Sequence, residues 1–445
     1  MTVVLRGFAT VTLLIPLLAC ESLSSSDDGV AARAARQAST QAQSLHAEVI
    51  GEADLPANGT RSLLDLWLAE KGAIPFPFPR FIEALASEDV DSRHPLSVLV
   101  PDGRSLLKAD ADFAAPRVVV AATARPPKGV NLQPDFRGRV FLGFTENADE
   151  IELISYNEGM GRFEFQLIKD YCEGCNPRLV YAKRAICTTC HQGGVPIFSV
   201  RPWEETNAQG VIAERIAAVH GEQYQGVSVR VGLDIPDAID NLTNQAAILV
   251  ATQSAWLDGC GQDGAECRRE MLRTALQWMQ NPASLDRGAP DLVRAQQVRW
   301  PADGIVIPDN DLRSRNPFDA GLYDESLFAQ FRRLIFGERE RVVSDDRLAD
   351  FDQLPRLPPQ FDPLSPRPPR KRIQANELDA ALGLALMFTV ADRDRLEQAA
   401  AFNQETLLNA VNRLDAAVFA PQPIRRTVLV GSLLETLGQS APPHR

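Results

Sequence analysis

The sequence predicts an α+β protein, with a small mixed or antiparallel sheet in the N-terminal part followed by a mainly helical region. Two observations carry that prediction. Between residues 96 and 168 the apolar residues come in short runs rich in β-branched and aromatic side chains, which is how strands read. Beyond Asn207 the apolar spacing changes to three and four, the period of a helix. A chain of 445 residues with 45% hydrophobic side chains can bury a substantial core and divide into two or three domains.

The first element is not part of that fold. Residues 1–6 carry one positive side chain, residues 7–18 are almost entirely apolar, and Leu17-Leu18-Ala19-Cys20 ends the run. The apolar stretch is too short to span a bilayer and reads as an export signal over 1–19. The closing tetrapeptide resembles the processing box of bacterial lipoproteins. That resemblance implies cleavage before Cys20, lipidation of its thiol, and, with Glu21 next, placement at the outer membrane. An ordinary secretory signal with a stray cysteine is the other reading. Residues 20–59 are rich in Ser, Ala, Gln, Asp and Glu and read as a flexible tether.

Residues 60–180 read as an α+β scaffold domain. A helix over 61–71 follows from its apolar spacing and from Gly72 as a stop. Pro75, Pro77 and Pro79, interleaved with Phe76 and Phe78 and followed by Phe81, predict a rigid extended bend whose rings pack into the core. Strands are predicted over 96–100, 118–122, 140–144, 150–156 and 162–168. The last two are joined through residues 157–161, where two glycines permit positive φ. Phe163, Phe165 and Leu167 alternate with Arg162, Glu164 and Gln166, so one face should be buried and the other wet.

Directly after the sheet comes Cys187-Thr188-Thr189-Cys190-His191, followed by Gln192-Gly193-Gly194-Val195-Pro196-Ile197-Phe198. Two cysteines three apart with histidine after the second resemble the haem-attachment signature of c-type cytochromes. The resemblance covers the motif and its surroundings, not the whole chain. It implies one covalent haem c, thioethers at Cys187 and Cys190, and His191 as the proximal iron ligand. It also suggests a cytochrome c-like helical region over 181–353. Lys183 and Arg184 could pair with haem propionates or simply be solvated. The apolar residues Pro196, Ile197, Phe198, Pro202 and Trp203 are suited to covering a haem face, and a carbonyl in this loop could take the Nδ1 proton of His191. Cys172 and Cys175 lie just upstream, which leaves open a four-cysteine zinc site, with zinc as the metal of that alternative, or a redox-active CxxC pair.

Seven cysteines divide into Cys20, the motif pair, and Cys172, Cys175, Cys260 and Cys267. The remaining four allow three pairings, of which Cys172 with Cys175 and Cys260 with Cys267 are the local ones. Candidates for a sixth iron ligand are His220, on the helical face of Ile212 and Ile216, then Met279 and Met271, and last Met160.

Helices are predicted over 237–257 and 266–280, with Cys260 and Cys267 bracketing the loop between them. Residues 354–372 hold seven prolines, from Pro355 to Pro369, and then Arg370-Lys371-Arg372; they read as a stiff linker and a solvated basic end. Residues 373–445 read as a closing helical unit. There is no second CxxCH, so a multihaem wire is excluded. A formal charge of -12 argues against a nucleic-acid partner. The function expected is that of a membrane-tethered periplasmic monohaem cytochrome passing single electrons between redox partners. The alternatives are a haem enzyme with an open iron position, peroxidase-like or oxidase-like, and a lipoprotein scaffold built on zinc.

Overall fold

The fold is taken from a computed structural model, which describes residues 60–86, 95–101, 111–123, 135–200, 206–285, 288–313 and 367–438. The export signal, Cys20, the tether, Pro202, Trp203 and residues 354–366 of the proline-rich stretch lie outside the described residues.

Ser62 starts the first helix, α1 (Leu63–Lys71), by accepting the backbone N–H of Asp65 at 3.1 Å, and Gly72 ends it at φ 72°, the left-handed conformation that glycine takes without a Cβ penalty. The extended bend expected over residues 75–81 ends early. Phe78 already opens a second helix, α2 (Phe78–Ala86). Pro79 fits there because the first turn has no intrahelical partner for the N–H that proline lacks. The rings of Phe78 and Phe81 are buried as expected, while Phe76 is 37% exposed.

Six antiparallel strands follow in the order β1 (Leu96–Val100), β2 (Arg117–Ala121), β3 (Val140–Thr145), β4 (Glu150–Asn157), β5 (Arg162–Lys169) and β6 (Arg178–Tyr181). Sequence order is also spatial order. Register assigns the faces: Ile151 opposes Ile168 and Phe144, while Ile154 opposes Phe165 and Glu152 opposes Leu167. Because neighbouring residues point to opposite faces, Phe144, Ser155, Gln166 and Ile168 share one side and Glu152, Ile154, Phe165 and Leu167 the other.

Helices α1 and α2 cover the first side. Phe78 stacks on Phe144 at 4.3 Å, Leu64 donates its N–H to Ser155 Oγ at 3.0 Å, and Ser62 Oγ donates to Gln166 Oε1 at 2.6 Å. The alternation expected in β5 is therefore present, but both of its faces are buried, from Phe163 through Ile168. Glu164 and Gln166 face helix and not water; the Glu164 carboxylate lies 3.0 Å from Arg162 Nε, and Gln166 Oε1 accepts from Ser62 while its Nε2 finds no partner.

The second side receives two helices. At the β5–β6 edge sits α3 (Arg184–Cys190), and next to Tyr156 lies α5 (Asp234–Ser254), whose Gln253 Nε2 donates to the Tyr156 hydroxyl at 2.7 Å. Between them in sequence come β7 (Phe198–Val200), α4 (Gly210–His220) and the small hairpin β8 (Gln223–Tyr224) and β9 (Val227–Ser228). A π-helical turn at Ala255–Gly259 ends α5 and leads into α6 (Ala265–Gln280). The helices α7 (Pro290–Gln297), α8 (Asp379–Ala385), α9 (Val390–Ala399), α10 (Gln404–Arg413) and α11 (Arg426–Thr436) pack around α6 and α5. One apolar core runs from Leu63 to Leu434 and crosses the sequence-drawn boundaries at residues 181 and 373.

Three short strands matter for the motif. β10 (Ile305–Ile307) pairs with β12 (Lys371–Ile373), and β11 (Asp311–Arg313) runs parallel to β7. The basic end of the proline-rich stretch is thus partly strand, fixed to the core by β10. Its Lys371 sits 2.9 Å from Asp379 and 3.1 Å from Glu377.

Among the described residues no helix is long and apolar enough to cross a membrane.

Candidate functional site

Chain geometry places α3 on the sheet edge. Ala182 N–H bonds the Phe165 carbonyl at 2.8 Å and so extends the β5–β6 pairing by one residue; the chain then turns at Lys183 into the helix. Arg184, in the first turn, points back at β5. It donates to the Phe163 carbonyl, lies 3.8 Å from Glu164, and holds its guanidinium 5.4 Å from the Phe165 ring. Its guanidinium is thus held against the sheet.

Cys187 and Cys190 are one turn apart on α3, a spacing that puts both on one helical face. Neither is in a disulfide, and both are half-buried. Cys187 packs against a small apolar cluster on the second side of the sheet, formed by Phe165, Leu167 and Ala182 with Ile154 and Val180. Burial first, and then the carboxylate of Glu152, push its thiol up to about 11.

His191 caps the helix, its N–H bonded to the Cys187 carbonyl at 3.0 Å. Its ring lies 5.3 Å from that of Phe165, and its Nδ1 is 2.9 Å from the carbonyl oxygen of Val195. A carbonyl can only accept, so this contact puts the ring proton on Nδ1 and leaves Nε2 with a lone pair. Burial lowers the imidazole pKa to about 4 against the opposing effects of Val195 and Glu152. At neutral pH the ring is uncharged, as a metal-donor nitrogen must be.

The loop after His191 is tightly held. Gly193 and Gly194 have φ of 87° and 70°, which turns the chain so that Val195 comes back under the ring. A Cβ on Gly193 would lie 2.8 Å from Pro308 Cβ. Val195 and Phe198 are buried, and the Phe198 N–H bonds the Asn310 carbonyl at 3.1 Å. From the far end of the chain, Arg367 donates its N–H to Gln192 Oε1 at 2.9 Å and its guanidinium to the Cys190 carbonyl.

The other cysteines among the described residues are engaged in pairs. Cys172 with Cys175 and Cys260 with Cys267 form the two local disulfides, with Cα separations of 5.3 and 5.5 Å. In this state Cys172 and Cys175 bind each other. Among the described residues, no set of three or more His, Cys, Asp or Glu side chains converges as a metal cage. The motif therefore offers two sulfurs for covalent attachment and one nitrogen donor.

Each candidate sixth ligand has its own surroundings. The His220 ring packs 4.5 Å from Tyr224, and the same hairpin places Gly226 against Pro79 of α2, on the side of the sheet opposite Phe165. Met271 is fully buried in α6, its sulfur 3.6 Å from Cys260. Met279 packs against the helical core, and Met160 sits in the β4–β5 turn with its N–H on the Asn157 carbonyl at 3.2 Å. Sequence reading missed Phe165 and Arg367 as neighbours of the motif. Phe165 was legible only as an apolar strand position, and no signal in the sequence ties Arg367 to residues so far upstream.

Comparison with models of protein families, with curated proteins and with solved structures finds no match to this chain.

Proposed function

We propose that the chain is a membrane-tethered periplasmic cytochrome that carries one covalent haem and passes single electrons between redox proteins. The observation that supports the reading is the joint state of the three site residues of the motif. Cys187 and Cys190 stand outside the disulfides on one turn of α3, and the imidazole that follows has Nδ1 committed to Val195, with Nε2 left as a donor.

These residues fit a haem c. Cys187 and Cys190 would hold it through thioethers and His191 would be its proximal ligand; when bound, haem supplies one-electron chemistry. The chain's own residues do the rest. The Val195 carbonyl fixes the tautomer and direction of the imidazole. Phe165, Leu167 and Val180 keep water from the Cys187 side. Arg184, clamped on β5, holds α3 against the sheet.

The Cys187 thiol is poorly suited to the attacking role in a dithiol redox enzyme. Such a pair needs an attacking thiolate, favoured by a lowered pKa, whereas Cys187 is pushed up to about 11. It stays protonated at neutral pH. Tethering through Cys20 rests on the sequence alone, and the formal charge of -12 suits a basic redox partner.

The test is a visible absorption spectrum recorded beside metal analysis of the purified exported protein. One iron per chain with a haem spectrum is expected. Stoichiometric zinc without haem would overturn the reading.

A further inference from the structure

We propose that the Cys172–Cys175 disulfide is a thiol–disulfide exchange site, which takes two electrons from a protein dithiol and is attacked at the Cys175 sulfur. It goes beyond the haem reading and is independent of it.

The site is the turn that joins β5 to β6. Cys175 N–H bonds the Cys172 carbonyl at 3.1 Å, and Gly174, third in the turn, has φ 76°, the positive value that a type II turn demands there. The chain on either side is fixed by bonds in which sulfur has no part. Tyr171, 3% exposed, donates its N–H to the Asp149 carbonyl at 2.8 Å and its hydroxyl to the Pro75 carbonyl at 2.7 Å. On the other side Arg178 pairs with Lys169 in the sheet, and its guanidinium lies 3.0 Å from Asp170. A bridge across a sequence separation of 3 also removes little entropy from the unfolded chain, because that effect grows with loop length. The frame therefore keeps the two cysteines together, with Cα atoms 5.3 Å apart, whether or not their sulfurs are joined. The bond is free to open and close without the fold.

Access decides which sulfur is attacked. Cys175 is exposed together with Glu173, Gly174 and Asn176, whereas Cys172 is half-buried. Nothing lies within 4 Å of a Cβ built on Gly174, so a partner's backbone can come close to the turn. The second disulfide is the contrast: Cys260 and Cys267 are 1% and 3% exposed, with the Cys260 sulfur 3.6 Å from that of Met271. In the exchange, a donor thiolate attacks Cys175 Sγ, the bond between the two protein sulfurs breaks, and its electron pair leaves on Cys172, which takes a proton. The donor's second thiolate then attacks the donor sulfur of the mixed disulfide. That step forms the donor's own disulfide and releases Cys175, which takes the second proton. The donor loses two electrons and two protons, and the pair gains both.

The experiment treats the full chain with reduced thioredoxin as the dithiol, quenches with acid, alkylates, and follows the tryptic peptide of residues 170–178 by mass spectrometry. Circular dichroism of the same samples reports the fold. The expected result is conversion of that peptide to its dithiol form with an unchanged dichroism spectrum, at least about tenfold faster than the pair at Cys260 and Cys267 opens. Oxidised glutathione should then restore the disulfide. A thioredoxin whose resolving cysteine is replaced by serine traps the intermediate, and the covalent complex should run through Cys175 with Cys172 alkylated. Trapping through Cys172 overturns the order of attack and the proposal with it. Equal rates for the two disulfides, or reduction only in urea strong enough to unfold the chain, overturn it as well. So does a variant with both Cys172→Ala and Cys175→Ala that no longer folds, since the bridge would then be a staple. None of these readings depends on whether the chain carries haem.

Discussion

His191 and Val195 are joined by a hydrogen bond of 2.9 Å between imidazole Nδ1 and a carbonyl oxygen four residues on. The chain returns that closely because two successive glycines take positive φ and because Pro308 closes the outside of the turn. Ring direction, tautomer and loop are one unit, and perturbing the loop should be felt at the ring.

Gly193→Ala tests that coupling. An added Cβ meets Pro308 at 2.8 Å in a backbone at φ 87°, so the variant should lose roughly 1–3 kcal/mol in chemical unfolding. Gly174→Ala is the control, since Gly174 also has positive φ, at 76°, with nothing within 4 Å of the new atom. Only Gly193→Ala should also change the nitrogen chemical shifts of His191. Equal spectra for the two variants would break the link between turn and ring.

Much of this arrangement could be read from the sequence, and the limits have physical causes. The five long strands were legible because β-branched runs and a glycine hairpin are local signals, and both disulfides because local pairs need little chain rearrangement. A carbonyl acceptor in the 192–198 loop followed from chemistry, though Val195 was not singled out. Helix α2 was hidden by Pro79 and by the prolines just before it: Pro79 is tolerated only because it falls in the first turn. β6 has four residues and β12 three, too few to show a period. The meeting of Arg367 with Gln192 and the Cys190 carbonyl depends on tertiary contacts that no local pattern encodes.

The two disulfides should open in order. Cys260 and Cys267 are 1% and 3% exposed, whereas Cys175 is exposed and Cys172 half-buried. Graded reductant followed by alkylation and mass spectrometry should label Cys172 and Cys175 first, with the fold retained. The double variant C260A/C267A should cost about 2–3 kcal/mol by loop entropy. Simultaneous labelling of all four would contradict the burial.

Asp240 sets a pH dependence. Burial raises its carboxyl pKa above the ordinary value, against the opposing pull of Arg370. The folded state then binds this proton more readily than the unfolded chain does. The ionised carboxylate therefore costs stability at neutral pH, and the cost is relieved as pH falls through the raised value toward the unfolded one. Asp240→Asn should be at least as stable as wild type at pH 7, with the difference shrinking on acidification. Melting temperatures between pH 7 and 4 check it, and a difference that grows toward acid would reverse the sign.

Arg426 and Asp392 form a buried pair at 2.7 Å, with side chains 1% and 3% exposed. Arg426→Met leaves the Asp392 carboxylate without that cation and should cost about 3–5 kcal/mol. Adding Asp392→Asn should recover part of the loss. Urea unfolding of the single and double variants measures the recovery, and a double variant weaker than R426M alone would count against the pairing.

Under the proposed function Cys187 and Cys190 would carry haem covalently, with His191 on the iron. The most direct test is the intact mass of the exported protein after acid-acetone extraction, for wild type and for the variant with both Cys187→Ala and Cys190→Ala. A wild-type mass increased by one haem, localised to the peptide holding residues 187–191, is expected, with no such increase in the variant. An unmodified wild-type chain, or one that binds zinc in its place, would contradict it.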